Sequence, residues 1–363
     1  MKSFIKLTAG FAVVALSLAG CSADTGGDTA EIQELKPVTL LVTQKAWSPS
    51  YAFLAVAQEQ GYFEDEGLNV ELVNFPGGTI TATQLEQGAG DAALMSPEPL
   101  VIGRDEGNSF ESEYYANLFR RSLFGMAAPE GSSITSAADL GGATVGVVNL
   151  ASAGVQIAQA MAEGAGVDPA TLNFIEIGVG PQAISALNSG AVDALSLFDT
   201  QYQLMENNGV ELQLFRSDFV DELTSGGFAA LPKTIKEQPE LLTGLARAAF
   251  KGIYFCELNP AACVRDLWTA FPTTKPQGTP EDEALANDVS IMSVRLNGSY
   301  ALAADESVWG AFPTTTWETF VDYMKNSGQV VNDINPESLY TDALIEGIND
   351  FDRTVVEADA AKA

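Results

Sequence analysis

Short apolar runs alternate with longer stretches in which apolar residues recur at helical spacing, from residue 38 to about residue 207. Alternation of this kind predicts an α/β fold with mainly parallel strands. VTLLVT at 38–43 reads as a first strand, followed by a helix over 51–60 that Pro49 or Ser50 opens and Gly61 stops. A strand over 69–74, a helix over 79–87, a strand over 91–95 and a short helix ending by Gly107 follow. Residues 115–128 hold at least one strand and the first passage between two lobes. The same grammar then repeats: strands at 144–148, 174–179 and 192–198, with helices reaching about 163, 188 and 207. Residues 225–231 read as the return passage. Helices are expected over 240–255, 261–269, 281–295, 316–327 and 339–350, and residues 351–363 as a frayed tail.

A unit of strand, small-residue loop and helix recurs at residues 44–51, 75–80, 96–100, 149–155, 180–183 and 199–202. In an open α/β sheet such loops fall at the carboxyl ends of strands, where ligands bind. Each helix start there offers unpaired N–H groups and the positive end of a dipole. Gly, Ser and Pro also make tight turns without any ligand, and each loop taken singly supports either reading.

The first residues do not fit this pattern. Lys2 and Lys6 precede an uncharged apolar run, residues 7–20, shorter than the roughly 20 residues that span a bilayer. It ends in Leu18-Ala19-Gly20-Cys21, which resembles a bacterial lipobox, so residues 1–20 are expected to be a signal peptide and Cys21 to carry lipid. Residues 21–36 then read as a polar tether. The rest exceeds the usual size of a single core, so two lobes are expected.

The net charge of −30 argues against nucleic-acid and anionic-membrane partners, which need clustered Lys and Arg. Cys256 and Cys263 remain beyond the leader; an oxidising compartment suits a short disulfide around Pro260, and two buried thiols are the alternative. The chain has no histidine. Ser-His-Asp and Cys-His catalysis, His acid–base chemistry and the familiar zinc motifs are thereby excluded, and no metal site or cofactor is expected.

Residues 51–91, with a helix ending in Gly61-Tyr62-Phe63, the acidic turn to Gly67-Leu68, the Gly77-Gly78 loop and a helix closing on Gly88 to Asp91, resemble the thiamine-precursor, nitrate, sulfonate and taurine binding-protein group. Residues 132–199 resemble its second-lobe signature, SSITSAADLGGATVGV and then IGVGPQAISALNSGAVDALSLFD. The stretch from KTIKEQPELL to LNPAA is similar to its return segment. The resemblance implies the periplasmic-binding-protein type 2 fold, with a ligand cleft between lobe 1 (37–125 and 229–350) and lobe 2 (126–228). It also implies a monomer that serves an ABC importer through separate permease and ATPase subunits, on the extracytoplasmic side of a membrane. A receptor module for a separate signalling partner is the second reading, and a pyrimidine-synthase-like enzyme, which needs a histidine, the third.

The group's pocket positions fall on Trp47 and Tyr51, on Gly78 and Thr79, on Ser96, on the loop holding Asn149, Ser152 and Gly154, and on Asp199. Where the thiamine-precursor branch usually reads Asp-Trp-x-Pro-Asn, Lys45-Ala46-Trp47-Ser48-Pro49-Ser50 keeps the aromatic and the proline but neither the acid nor the amide. Trp47 is a stacking wall or a core plug. Ser96, Thr79 and Ser152 are hydrogen-bond donors to ligand or plain helix caps. Glu98 and Asp199 would meet an amine or ring N–H, or serve only as first-turn acids. Arg120 and Arg121 would clamp an anion or form structural ion pairs. The ligand class stays open among pyrimidine, sulfonate and nitrate.

Overall fold

The computed structural model describes residues 34–107, 110–150, 152–300, 302, 307–313 and 315–363. The predicted signal peptide and Cys21 lie outside them. The chain begins with β1 (Lys36–Thr43), a 3₁₀ turn (Pro49–Tyr51), α1 (Ala52–Glu59), the single turn α2 (Tyr62–Asp65) and β2 (Leu68–Phe75). Next come α3 (Gly78–Glu86), β3 (Ala92–Met95), α4 (Glu98–Asp105), β4 (Glu113–Phe119) and β5 (Phe124–Pro129). The second series is β6 (Thr144–Val147), α5 (Ala153–Gly164), β7 (Asn173–Glu176), α6 (Pro181–Asn188), β8 (Ala194–Phe198) and α7 (Asp199–Asn207). Then follow β9 (Leu212–Phe215), α8 (Asp218–Glu222), β10 (Gly226–Ala230), α9 (Pro232–Glu237), α10 (Pro239–Leu258), α11 (Pro260–Ala270) and α12 (Glu281–Arg295). A π-helical turn, Leu296–Tyr300, precedes α13 (Thr316–Asn326), α14 (Ile345–Asn349) and α15 (Arg353–Lys362).

Two five-stranded sheets result, in the orders β2-β1-β3-β10-β4 and β7-β6-β8-β5-β9. β1 runs parallel to β2 and β3, with Leu40 opposite Leu72 and Leu41 opposite Ala93. β6 runs parallel to β7 and β8 in the same way. The remaining pairings are antiparallel: β10 against β3 and β4, and β5 against β8 and β9. The expectation of mainly parallel strands is corrected on this point. The chain leaves the first sheet after β4 and enters the second with β5, then returns through β10, and those two entering strands insert against the parallel direction.

The central strand of each sheet, β3 in the first and β8 in the second, is apolar but for Ser196 of β8, as burial on both faces requires. All of β3 and all of β10 are buried. β10 also shows why Gly226 and Gly227 stand at the return. A Cβ at Gly226 would lie 2.2 Å from the Met95 carbonyl oxygen, and one at Gly227 2.1 Å from that of Ala116. Only glycine lets β10 slot between β3 and β4.

Helix α1 is apolar around its circumference, with Ala52 to Ala57 buried, because α10 and α11 cover the side that solvent would otherwise wet. Cys256 of α10 and Cys263 of α11 are disulfide-bonded, with Cα atoms 5.1 Å apart. Two expectations for the C-terminal part need correction. Of the helix expected over 339–350 only Ile345–Asn349 forms, because Leu339 to Thr341 instead extends beside β4: Tyr114 N–H donates to Leu339 O and Thr341 N–H to Tyr114 O, both at 2.9 Å. The tail is not frayed but helical over Arg353–Lys362, capped by Asp352 and docked through Val356 and Ala360.

Candidate functional site

The loops after β1, β2 and β3 carry the first group of predicted site residues. Gly78 opens α3 so close to the loop after β3 that an added Cβ would lie 3.0 Å from Ser96 Oγ and 3.1 Å from Pro99 Cγ. The Ser96 hydroxyl in turn favours the charged form of the Glu98 carboxyl in the first turn of α4, which places the two side chains together. Burial raises the Glu98 pKa, and the Ser96 hydroxyl and its own backbone N–H oppose that rise only in part. Gly78, Ser96 and Glu98 therefore form one cluster. Thr79 lies beside it with an exposed side chain, and its carbonyl accepts from the Thr83 hydroxyl at 2.8 Å.

Trp47 is half-buried and stacks on Phe271, ring centroids 4.0 Å apart and 8° from parallel. One face of its indole is therefore already covered by the protein. Tyr51 sits edge-on to Phe119 and donates its hydroxyl to Thr43 O at 3.3 Å. Burial raises its pKa; the Arg295 charge counters this and Asp199 adds to it, so Tyr51, Arg295 and Asp199 share one neighbourhood.

In the second sheet Gly154 is held against β8. A Cβ there would lie 2.4 Å from Ser196 O, and Ser196 Oγ donates to Gly154 O at 2.7 Å. Asn149 is exposed at the tip of the same loop. Ser152 precedes α5 with its Oγ buried and without a hydrogen-bond partner. Gln44 is its counterpart in the first sheet: Nε2 donates to Asn74 Oδ1 at 3.2 Å while Oε1 is buried and unpartnered. Buried polar atoms of this kind call for a partner.

Asp199 opens α7 and is bound by Arg295 through two hydrogen bonds, Nη2 to Oδ1 at 2.6 Å and Nε to Oδ2 at 2.9 Å. Burial works against the charge on Arg295, yet Asp199 and the phenols of Tyr300 and Tyr51 hold its pKa above the usual arginine value. Arg295 also lies over the Phe119 ring at 5.5 Å. Sequence reasoning passed over Gln44 as a ligand candidate and Arg295 altogether. A signal for Arg295 existed: it is the single cation in residues 281–295, an otherwise acidic helix. Arg120 donates its backbone N–H to Ser299 O, and Arg121 stands exposed at a cavity of 310 Å³ lined by Asp199, Tyr202, Glu206, Leu214 and Gly298. That cavity lies beside α7, and Gly78, Ser96 and Ser152 are not among the residues that line it.

Among the described residues no group of His, Cys, Asp and Glu is arranged to hold a metal, and no helix is long and apolar enough to cross a membrane. A family model described as NMT1/THI5 like matches residues 48–263. The chain is 28% identical over 276 residues to a formylaminopyrimidine-binding protein of Halalkalibacterium halodurans, covering 74% of this chain and 79% of that protein. It is 22% identical over 354 residues to the riboflavin-binding protein RibY of Chloroflexus aurantiacus, covering 94% and 97%. The periplasmic aliphatic sulphonate binding protein SsuA of Escherichia coli has a similar structure, with a TM-score of 0.65 at 14% identity, over 84% of this chain and 91% of that one. At that identity the likeness speaks for the periplasmic-binding-protein fold.

Proposed function

We propose that this chain, which belongs to the NMT1/THI5-like family, is the solute-binding component of an ABC importer and takes up a planar nitrogen heterocycle. The family match runs through the strand, loop and helix units of both sheets, which is the observation that carries the reading. The lobes are 37–125 with 229–350, and 126–228; the ligand lies between their loops, and closure of the lobes presents it to separate permease and ATPase subunits. The protein works as a monomer on the extracytoplasmic side of a membrane, held there by lipid on Cys21 once residues 1–20 are removed.

The side chains favour one ligand class over the others. Across residues 44–51, 75–80, 96–100, 148–155, 177–182 and 198–202, Lys45 is the only cation, and it is exposed. These loops offer a sulfonate or nitrate no arginine of their own. A heterocycle with ring N–H and amino groups meets what is there: the Gln44 Oε1 acceptor, the Glu98 carboxyl and the Ser152 and Ser96 hydroxyls. Gly78, Thr79, Asn149 and Gly154 supply backbone edges, while Trp47 and Tyr51 supply ring faces or edges. Two relatives, named for formylaminopyrimidine and riboflavin, bind molecules of this class.

A thermal-shift screen of residues 37–363 against formylaminopyrimidine, riboflavin, other pyrimidines, taurine, alkanesulfonates and nitrate tests the reading. Ligand at about 100 times its Kd adds roughly 2.7 kcal/mol, which raises Tm by several degrees. A saturable shift with a heterocycle supports the proposal. A shift with sulfonate or nitrate alone overturns the ligand class, and no shift with any compound overturns the binding role for this panel.

A further inference from the structure

We propose that Arg295 is a positioning residue: it fixes the angle between the two halves of the site by tying the start of α7 to the turn at Pro49–Tyr51. The inference rests on the two-lobe reading above, but its main test needs no ligand.

The tie has two ends. At one, both Asp199 oxygens are held by Arg295, whose side chain is 3% exposed against 15% for Asp199. At the other, Tyr300 donates its hydroxyl to Ser50 O at 2.7 Å and packs its ring between Phe53, at 5.3 Å, and Phe119, at 5.6 Å. Arg295 and Tyr300 are joined by the π-helical turn Leu296–Tyr300, and the Arg295 charge counters the rise that burial imposes on the Tyr300 pKa, which places the two side chains in one neighbourhood. Turns of the i→i+5 kind bring residues five apart towards one side of the helix and are frequent at functional sites. Asp199 follows β8 of the second sheet and Ser50 follows β1 of the first, so one short segment bonds a ligand loop of each.

The other end of α7 is held as well. Asn207 Nδ2 donates to Ser290 Oγ at 2.8 Å, and Ser290 Oγ to Asn207 Oδ1 at 3.2 Å. Helix α7 is thus bound to α12 at both ends, while α12 packs on α11 and on the Pro49–Tyr51 turn of the first half. This is a further attachment between the halves, besides the two strand passages and the Phe219–Tyr323 ring contact at 5.5 Å. Lobe closure then turns about the α7–α12 contact rather than opening it. Two consequences follow for the site. The Asp199 carboxylate is occupied by Arg295 and acts on ligand only through geometry. Among the described residues, loss of the guanidinium leaves the half-buried Asp199 carboxylate with only the Thr200 N–H, at 2.8 Å, and the Ser299 hydroxyl, at 3.5 Å, as partners, which loosens α7 from α12.

Spin labels on Glu71→Cys and Glu176→Cys, exposed positions on edge strands β2 and β7, report the distance between halves in the full chain carrying Cys21→Ser, without ligand. The expected result is a narrow distance distribution that lengthens and broadens in Asp199→Asn and in Arg295→Gln. Arg295→Lys keeps the charge but not the two-point contact, so it folds and broadens less. The double variant D199N/R295Q, which removes both charges, is expected to be no worse than either single change. A role confined to local stability would lower Tm and leave the distances unchanged. Unchanged distributions in the folded Arg295→Lys and double variants overturn the proposal. With formylaminopyrimidine as probe, Arg295→Lys is expected to dissociate about 10-fold faster; failure of that probe to bind wild-type protein bears on the ligand class and leaves the distance result standing.

Discussion

Gly78 and Ser96 approach so closely that a single added carbon at Gly78 would lie 3.0 Å from the Ser96 hydroxyl. That contact joins the loop after β2 to the loop after β3, and through Ser96 to the half-buried Glu98 carboxyl.

Gly78→Ala separates stability from binding. Alanine favours a helix over glycine by about 1 kcal/mol, and displacing the Ser96 hydroxyl and the Pro99 ring costs a similar amount. Thermal unfolding should move little. Ligand affinity should fall about 10-fold, because Ser96 is pushed off the Glu98 carboxyl. Equal affinity in calorimetric titration would remove this cluster from the site.

Gly154→Ala has no such balance. Its Cβ would meet the Ser196 carbonyl oxygen at 2.4 Å, and backbone cannot swing aside. The overpacking should destabilise the protein by about 1–3 kcal/mol, more than the helix preference of alanine returns. Denaturant unfolding with an unchanged m-value would show it.

Glu98 gives the protein a pH dependence with a defined sign. Burial raises its folded-state pKa above the usual 4.5. The folded chain therefore holds this proton more tightly than the unfolded chain, so the group's stabilisation is full below pH 4.5 and is lost as pH rises through the raised value. Glu98→Gln should flatten the fall of Tm above pH 4.5. Saturating ligand with a ring N–H should narrow the gap between the two proteins. Parallel Tm curves would show that Glu98 carries no such penalty.

Cys256 and Cys263 close a short loop between α10 and α11, two helices that cover α1. Replacing both with alanine should cost about 2–3 kcal/mol by the chain-entropy relation for so small a loop. Non-reducing unfolding curves of wild type and variant should differ by that amount, and reducing agent should bring the wild type to the variant's curve.

Much of the fold was legible because continuous apolar runs such as VTLLVT allow few arrangements other than a buried strand. The less apolar elements were harder to read. β9 is short and its Leu214 is 55% exposed. Only Val356 and Ala360 of α15 are buried, so its composition reads as tail. In 339–344 a local helical pattern gives way to pairing with Tyr114, more than 200 residues earlier in the chain, which no local pattern reveals. The site divides the same way. Ser96, Gly78 and Asp199 stand at strand ends and announce themselves by position. Arg295 meets Asp199 across 96 residues, and its polar neighbours Asn297, Gly298 and Ser299 read as a helix end rather than as a turn that aims Tyr300.

Calorimetric titration of residues 37–363 with a nitrogen heterocycle found in the thermal screen, in wild type and in Ser152→Ala, tests the central claim most directly. The expected result is saturable binding of one molecule per chain, weakened about 10-fold in Ser152→Ala, whose unpartnered buried hydroxyl would then be a ligand contact. Saturable binding that Ser152→Ala, Gly78→Ala and Glu98→Gln all leave unchanged would contradict it and place the ligand elsewhere on the protein.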